Sequence, residues 1–271
     1  MWSRSILFMV VDEAHCIKQW GGEFRKQFTS LETLRSFAPR GVPVVATSAT
    51  MAPPTLEDVR STLAINPEKS FHLNLGNDRP NIIPIVWPME GAASNLAALD
   101  FVVRGRGRPL RTIIYFNDKR LTMRACNYLR KLLHPSRVHT VDVLHATRGP
   151  LSKKEVMERF RSGEVLVLCA TEVVGMVRTF FSHIPRPNHI LSQGTDIPDV
   201  DDVVQFMTTE ALSVWIQRAG RAGRDGRSSR AILLVEPSVA KRLTPKSSKK
   251  PNGSNGMTEG RVISRSSTIC C

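Results

Sequence analysis

A short apolar run that ends in two acidic residues places the strongest constraint on how this chain can fold. Residues 5–9 are almost wholly apolar, and the sequence Val-Val-Asp-Glu-Ala-His follows at residues 10–15. Such a run is typical of a strand buried on both faces of a parallel sheet. In open α/β sheets, ligands bind beyond the carboxyl ends of the strands. The pattern therefore predicts that Asp12 and Glu13 lie where an α/β fold binds nucleotides.

Two adjacent carboxylates at that edge suit phosphoryl transfer. An aspartate there can hold Mg²⁺ beside the phosphates, and a glutamate can orient or deprotonate the attacking water. Taken alone, Asp12 to His15 also fit an ordinary strand-to-helix turn.

Short apolar runs alternate with amphipathic stretches, which is the βαβ pattern of parallel sheets. Strands are expected at 5–11, 42–47, 71–75, 112–116, 138–144, 164–169, 202–207 and 230–235, and helices at 30–37, 55–63, 121–133, 152–161 and 211–219. Ser152 and Glu155 predict a capping box at one helix start. Turn residues at 76–81 indicate a domain boundary. The expected parts are a first domain over 1–76, a linker and the start of a second domain over 77–110, the rest of that domain over 111–240, and a disordered basic tail over 241–271.

The net charge of +14 favours a polyanionic partner. Residues 104–137 contain ten Lys and Arg against one acidic residue, Asp118, and the tail is also basic. Basic stretches of this kind attract nucleic acid, although a solvated basic face with a disordered tail is the alternative. No apolar run approaches the length of a membrane span, so no membrane partner is expected. None of the five cysteines forms a Cys-x-x-Cys pair, so we expect no zinc site and a reducing, intracellular location.

A second motif, at residues 217–226, has the sequence Gln-Arg-Ala-Gly-Arg-Ala-Gly-Arg-Asp-Gly. Arg221 and Arg224 stand three residues apart on a glycine-punctuated turn and can bind phosphate oxygens in bidentate geometry. An arginine in this role stabilises the charge of the transition state in phosphoryl transfer. The basic end of a surface helix is the alternative.

These residues belong to an ordered set of motifs by which the chain resembles the RecQ family of DNA helicases, over roughly residues 5–236. The matching segments are 12–16 with 19–21 and 24–25 (motif II and the aromatic-rich loop), 47–50 (motif III), 78–81 (the interdomain stretch), 113–116 (motif IV), 145–146 (motif IVa), 170–171 with 175–176 and 194–200 (motif V), and 217–226 (motif VI). The resemblance implies an α/β fold of two RecA-like parallel-sheet domains. The first would be incomplete, and the second nearly complete with an insertion at 177–193.

The resemblance also implies ATP and Mg²⁺ as cofactors. Asp12 would bind Mg²⁺ indirectly and Glu13 would activate water. Arg221 and Arg224 would face the γ-phosphate, with Arg224 as the finger, and Gln217 would help to bridge the two domains.

DNA is the implied partner, both as single strands and as duplex junctions, in the nucleus. Trp20, Phe24 and Arg25 would sense single-stranded DNA, since bases stack on aromatic faces and phosphates pair with guanidinium groups. A helical core pair of Trp20 and Phe24 is the alternative for those two residues. The remaining implied residues are Ser48 and Thr50, which would couple the nucleotide site to DNA, Thr171, which would contact DNA, and Asp196, which would link the nucleotide state to strand contacts.

The sequence departs from the family pattern in two places. It contains no Gly-x-x-x-x-Gly-Lys-Ser/Thr, whose backbone N–H groups, lysine and hydroxyl cradle phosphates. We therefore expect these 271 residues alone to bind ATP weakly or not at all. Residues 177–193 interrupt motif V, and joining Met176 to Gly194 restores the family pattern. The hypothesis for that segment is a retained intron rather than a functional loop.

The resemblance as a whole implies an ATP-dependent 3′-to-5′ DNA helicase that acts in recombination and repair. A fragment of such an enzyme would be inactive alone. The alternatives are a non-catalytic nucleic-acid-binding remnant and a gene-model fragment.

Overall fold

The computed structural model describes residues 6–19, 33, 35–39, 41–92, 94–104, 109–172 and 199–243, and the backbone of 261–262. The chain divides into two compact units between Asp78 and Arg79.

Unit 1 contains a two-stranded parallel sheet, in which β1 (Met9–Val11) pairs with β2 (Val44–Ala46). Residues 12–15 turn away from β1 into the short helix α1 (Cys16–Gln19). Helix α2 (Pro53–Thr62) begins with two prolines, which its first turn tolerates because those N–H groups have no partner inside the helix. A 3₁₀ turn at Pro67–Lys69 follows.

One face of the β1–β2 sheet is covered and the other is exposed. Val11 packs with Val59 and Leu63 of the α2 segment. On the opposite face, Val10 and Val45 are about half exposed, at 54% and 46%. The small sheet is therefore apolar on both faces, as the sequence predicts, with solvent on one of them among the described residues.

Unit 2 is built on six parallel strands in the order β5-β6-β4-β7-β8-β3. The strands are β3 (Ile82–Pro88), β4 (Thr112–Tyr115), β5 (Val141–Leu144), β6 (Val167–Ala170), β7 (Asp202–Phe206) and β8 (Ser229–Val235). A two-residue strand β9 (Arg261–Val262) pairs antiparallel with β3. The mixed α/β class with a parallel sheet is confirmed.

Helices cover both faces of this sheet. Helix α3 (Lys119–Lys131) and the 3₁₀ segment Leu96–Val102 pack on one face, and α4 (Pro150–Arg161) packs on the other. Every residue of β4, β6 and β7 is consequently buried, which explains why these strands are rich in apolar residues, although β7 also buries Asp202 and Gln205. The remaining elements of unit 2 are the 3₁₀ segment Pro135–Thr140, α5 (Leu212–Ala219) and α6 (Pro237–Leu243).

The strands expected at 5–11, 138–144 and 164–169 are shorter in the structure, and residues 138–140 belong to a 3₁₀ segment instead. Two larger differences concern residues 71–75 and β3. Residues 71–75 form no strand, and Phe71 and Leu75 are 88% and 87% exposed. Strand β3 lies inside the stretch expected to be a linker, and its Pro84 and Pro88 argue against a strand in the sequence. Proline is tolerated there because β3 lies outside β8 and pairs over most of its length on that one side.

The predicted capping box at Ser152 is wrong. Helix α4 begins two residues earlier, at Pro150, with Gly149 as an N-cap that makes no side-chain hydrogen bond. The Ser152 hydroxyl instead accepts a hydrogen bond from Arg148 Nε at 2.9 Å. The helix expected at 30–37 lies mostly outside the described residues, with 35–37 helical, and the segment 177–193 lies wholly outside them. In the tail expected to be disordered from Lys241, α6 extends to Leu243 and β9 occupies two residues.

We expect Leu129→Ala to lower the free energy of unfolding of the chain by about 2–5 kcal/mol, because it opens a cavity in a packed core. Leu129 lies on α3, is fully buried and contacts the core of unit 2. Leu151→Ala is the matched control, since Leu151 is 83% exposed and its loss should change stability by less than about 0.5 kcal/mol. Urea unfolding followed by circular dichroism measures both values, and equal losses would contradict the assigned packing.

Candidate active site

The two acidic residues of unit 1 lie directly after β1, as predicted. The Thr47 hydroxyl and the Glu13 backbone N–H each donate a hydrogen bond to Asp12 Oδ1, both at 2.9 Å. Thr47 follows β2, so this contact joins the carboxyl ends of two neighbouring parallel strands. Glu13 has a φ of +53°, a left-handed conformation that costs energy for any residue except glycine. Both carboxylates are exposed to solvent, where they can meet a ligand.

A buried histidine connects the same turn to Ser48 and Thr50. His15 is 5% exposed, and its Nδ1 lies 2.8 Å from Ser48 Oγ and 3.3 Å from Glu13 Oε2. The Ser48 hydroxyl donates to the Thr50 carbonyl at 2.8 Å, and the Thr50 N–H donates to Ser48 Oγ at 3.2 Å. Because the Ser48 proton is used in this way, His15 Nδ1 is the donor to Ser48. The acidic turn and the segment after β2 therefore form one hydrogen-bonded unit.

The pKa of His15 responds to this environment. Burial acts to lower it, but hydrogen bonds to Cys16 and Glu13 outweigh the burial and raise the pKa to about 9. The imidazole is therefore charged at neutral pH and completes a chain of charge-assisted contacts with Glu13.

In unit 2, a buried arginine gathers polar groups at the carboxyl ends of three strands. Arg218 Nε and Nη2 donate to Glu172 Oε2 at 2.9 and 2.5 Å. Its Nη1 donates to Gln205 Oε1 at 2.6 Å and to Asn117 Oδ1 at 3.0 Å. The guanidinium also lies 5.2 Å from the centre of the Tyr115 ring. One side chain thus binds the start of the 217–226 motif to the ends of β4, β6 and β7.

Sequence reasoning missed Arg218, which was not among the candidate site residues. Its position between the candidate residues Gln217 and Arg221 could have indicated a role in the site. Glu172, which directly follows Thr171, was an acidic residue with which it could pair. A buried guanidinium needs such a partner because an unpaired buried charge is very costly.

The two candidate arginines of unit 2 lie near Tyr115. Arg221 is half-buried and Arg224 is exposed. Burial raises the pKa of Tyr115 to about 12, and the charge of Arg221, with smaller contributions from Arg218 and Arg224, acts in the opposite direction. Gln217 is half-buried on α5, one residue before Arg218. The motif therefore presents positive charge at the carboxyl end of β4.

Gly223 fixes the loop that holds these arginines. Its N–H donates to the Val200 carbonyl at 3.0 Å, and its carbonyl accepts from Asn81 Nδ2 at 2.7 Å and from Arg79 Nη2 at 3.0 Å. Its φ is +52°, and a Cβ placed there would lie 2.5 Å from Asn81 Nδ2. Only glycine fits this position, and the segment that begins unit 2 holds the loop directly.

The remaining predicted residues fall into two groups. Thr171 is half-buried at the end of β6, where its N–H donates to the Leu144 carbonyl at 3.2 Å. Trp20, Phe24, Arg25 and Asp196 lie outside the described residues.

Other kinds of site find no support within the described part of the chain. No group of three or more His, Cys, Asp or Glu there could hold a metal ion. None of the described helices has the length and apolar character needed to cross a membrane. Cys16, Cys126 and Cys169 are free thiols.

Two family models match the chain. The DEAD/DEAH box helicase model matches residues 3–59, and the helicase conserved C-terminal domain matches residues 95–226. Each model covers one of the two groups of site residues described above. Both matched models are helicase domains, and together they cover most of the two units.

The curated relatives define the family more narrowly. The chain is 30% identical over 237 residues to the ATP-dependent DNA helicase RecQ of Pasteurella multocida, a match that covers 86% of this chain and 32% of that protein. It is 31% identical over 241 residues to the mouse bifunctional 3′-5′ exonuclease/ATP-dependent helicase WRN, covering 87% of this chain and 15% of that protein. The chain is thus similar to RecQ helicases over most of its own length, and it spans about a third of the length of its bacterial RecQ relatives.

Solved structures agree on the fold. Saccharomyces cerevisiae Dbp5 bound to RNA and ADP BeF3 has a TM-score of 0.61 and 21% identity, covering 86% of this chain and 54% of that one. Mss116p bound to ssRNA and AMP-PNP has a TM-score of 0.62 and 18% identity, covering 87% and 44%.

The raised pKa of His15 predicts a pH-dependent stability. The folded pKa of about 9 exceeds the ordinary value of 6.5, so the stabilisation is complete below about pH 6.5 and is lost as the pH rises through about 9. NMR titration of the imidazole signal and urea unfolding between pH 6 and 10 measure the two effects. In His15→Gln this part of the pH dependence should disappear, and a His15 signal that titrates near 6.5 would contradict the assigned hydrogen bonds.

We expect Gly223→Ala to destabilise unit 2 more than Gly226→Ala. Both glycines have positive φ, which costs an L-residue about 1–2 kcal/mol. Only at Gly223 would the new Cβ also collide with its surroundings, at 2.5–2.8 Å from Asn81, Arg227 and Ser229, which adds about 1–3 kcal/mol. Nothing lies within 4 Å of a Cβ at Gly226. Denaturant unfolding that gives equal losses for the two variants would show that the loop is not anchored as described.

Proposed function

We propose that this chain is part of the core of an ATP-dependent 3′-to-5′ DNA helicase of the RecQ type, which couples ATP hydrolysis to duplex unwinding in recombination and repair. The observation that carries the proposal is the exposed Asp12–Glu13 pair, which Thr47 holds at the carboxyl edge of β1. The similarity to RecQ helicases supports DNA as the substrate. Residues 1–76 form the first helicase domain in this proposal, residues 77–110 lead into the second, and residues 111–240 complete the second.

Asp12 fits a hydrated Mg²⁺ ion. Its carboxylate is exposed and is oriented by two hydrogen bonds, which suits a hard cation that prefers oxygen ligands and keeps several waters. When bound, Mg²⁺ supplies neutralisation of the phosphate charge. Glu13 accepts a proton from the attacking water or orients it, and His15 helps to position Glu13 by pairing with its carboxylate.

The arginines of motif VI stabilise the charge that develops on the transferred phosphoryl group. Arg224 is the finger, because it is exposed at the tip of the loop that Gly223 anchors. Arg221 contacts the same phosphate, and Gln217 helps to bridge the domains. Asp196 links the nucleotide state to strand contacts.

Communication between nucleotide and DNA begins in unit 1. The hydrogen bonds from Thr47 to Asp12 and between Ser48 and His15 tie motif III to the acidic turn. A change at the phosphates therefore reaches Ser48 and Thr50 directly. Trp20, Phe24 and Arg25 contact single-stranded DNA, and Thr171 contacts the strand from unit 2. Single strands and duplex junctions are the proposed substrates, and the nucleus is the proposed location.

These 271 residues alone bind ATP weakly in this proposal, because their sequence contains no phosphate-binding loop. Residues 177–193, which interrupt motif V, are encoded by a retained intron in this proposal. A non-catalytic nucleic-acid-binding protein is the second candidate, favoured by the same missing loop together with the net charge of +14.

Calorimetric titration with Mg²⁺–ATP should detect no micromolar binding to the chain alone. A chimera that joins the amino-terminal portion of the Pasteurella multocida helicase to residue 3, and from which residues 177–193 are deleted, should hydrolyse ATP when DNA is added. In the chimera, Glu13→Gln should lower kcat by about 10²–10⁴-fold. Arg224→Ala should lower kcat by about 10³–10⁵-fold.

Lys154→Gln is the matched control in the chimera, because Lys154 lies on α4 and pairs with Glu158 of the same helix. Its kcat should stay within a factor of two of the parent. A folded chimera without ATPase activity, or one whose kcat survives Glu13→Gln, would reject the helicase proposal. DNA binding without hydrolysis would favour the second candidate.

A further inference from the structure

Helix α3 has an unusual charge pattern. Its 13 residues include five that are basic, Lys119, Arg120, Arg124, Arg130 and Lys131, and none that is acidic. Within a helix, basic residues normally alternate with acidic ones that stabilise it at i, i+4 spacing. The charge of α3 is therefore not balanced within the helix.

Three of these cations lie on one solvent-facing stripe. Arg120, Arg124 and Lys131 are exposed, and Asn127 is the exposed residue between them. Spacings of four, three and four residues place side chains on a single helix face. Arg130 points elsewhere, since its Nε donates to the Val141 carbonyl at 2.9 Å. The inner face packs on the sheet through Ala125, Cys126 and Leu129.

The acidic groups near α3 make contacts elsewhere. Asp118 caps the helix by accepting from the Leu121 N–H at 2.8 Å. Asp100 pairs with Arg104 and accepts from the Tyr128 hydroxyl. Asp142 binds Arg148 and Arg159, with Arg130 at 3.5 Å. Among the described residues, Lys119 and the three cations of the stripe form no ion pair with a carboxylate.

Positive charge continues beyond the amino-terminal end of the helix. Burial lowers the pKa of His145, and the charges of Arg148, Lys119 and Lys153 lower it further. Arg148 is paired with Asp142 and Lys153 is buried, so Lys119, at the first position of α3, is the exposed cation of this group. The stripe of Arg120, Arg124 and Lys131 continues from there along the outer side of α3.

The length of the stripe matches a phosphate backbone. From Arg120 to Lys131 the helix rises about 16 Å, at about 1.5 Å per residue. Duplex DNA presents one negative charge per about 1.7 Å of its axis, so the stripe faces a dense row of phosphates. A membrane surface is disfavoured, because Met123 is the one large apolar side chain exposed on this described helix, and membrane-surface helices bury a broad apolar face.

We propose that the outer face of α3 binds the phosphate backbone of duplex DNA, through residues other than the predicted DNA contacts Thr171, Ser48 and Thr50. The choice of DNA among polyanions rests on the proposed function, whereas the charge pattern does not. This surface holds duplex DNA without reading its sequence, since phosphate contacts carry no base information. It needs neither ATP nor the acidic pair of unit 1.

The test compares two double variants of the whole chain that remove the same charge. Arg120→Gln with Arg124→Gln neutralises the stripe, and Lys154→Gln with Arg161→Gln removes two charges from α4 on the opposite face of the sheet. Fluorescence anisotropy measures binding of a labelled duplex at several salt concentrations. The slope of log K against log salt should become shallower by about 2 for the stripe variant, and by much less for the α4 variant. When salt is raised from about 50 to 200 mM, the stripe variant should therefore lose roughly tenfold less affinity than the unsubstituted chain.

Several outcomes would overturn the proposal. They are an unchanged slope in the stripe variant, an equal change in the α4 variant, and an effect confined to single-stranded DNA, to an acidic peptide or to anionic vesicles. All four substituted side chains are at least partly exposed, so urea unfolding should give wild-type stability and exclude misfolding as the cause. Loss of ATPase activity in the chimera would reject the helicase function and leave this result intact.

Discussion

Burial of the central strands on both faces is the constraint from which unit 2 follows. Every residue of β4, β6 and β7 is buried, so apolar side chains project to both sides of the sheet and require a cover on each. Helix α3 with the segment Leu96–Val102 provides one cover, and α4 provides the other. Because the strands are parallel, the chain leaves all of them at the same edge. Asn117, Thr171 and Glu172 meet there for this reason.

The carboxyl edge of the sheet carries polar side chains, and one arginine donates hydrogen bonds to several of them. The Arg218 guanidinium takes partners from three strand ends and is nearly excluded from water. Removing the Glu172 carboxylate would leave the buried guanidinium without its charged partner, a loss that solvent at the partly exposed Glu172 makes smaller than in a fully buried ion pair. An apolar substitute would avoid that cost but would not fix which strand ends meet. The network therefore specifies the geometry beneath the loop of Arg221 and Arg224.

The sequence predicts those elements of the fold that depend on a local residue pattern, and it does not predict those that depend on distant neighbours. Five of the six parallel strands of unit 2 were expected, because continuous apolar runs identify buried strands. Strand β3 was missed because its prolines argue against a strand, and only its position outside β8 makes them tolerable. Residues 71–75 were wrongly predicted to form a strand, because alternating apolar residues do not show whether a neighbouring strand is available for pairing. Asp12 and Glu13 were found from the strand that precedes them.

The side-chain contacts of the site residues could not be predicted from the sequence. The Asp12–Thr47 contact depends on the register of β1 with β2, in which Val11 lies opposite Ala46. The grouping of Arg130, Arg148 and Arg159 brings to Asp142 side chains from up to 17 positions away in the sequence, on α3, on α4 and on the segment after β5. Neither arrangement leaves a periodic pattern, because each results from tertiary packing.

The anchoring of Gly223 has a mechanical consequence. Arg79 and Asn81 are the first polar residues after the point where the chain passes from one unit to the other, and both hold the same carbonyl oxygen. A force applied to the polypeptide at Arg79 is therefore delivered to the arginine loop through two hydrogen bonds and a few covalent bonds. It does not have to cross the sheet. Within unit 2, the two side chains act as a short tether that couples movement of the backbone at residues 79–81 to movement of the loop that carries Arg224.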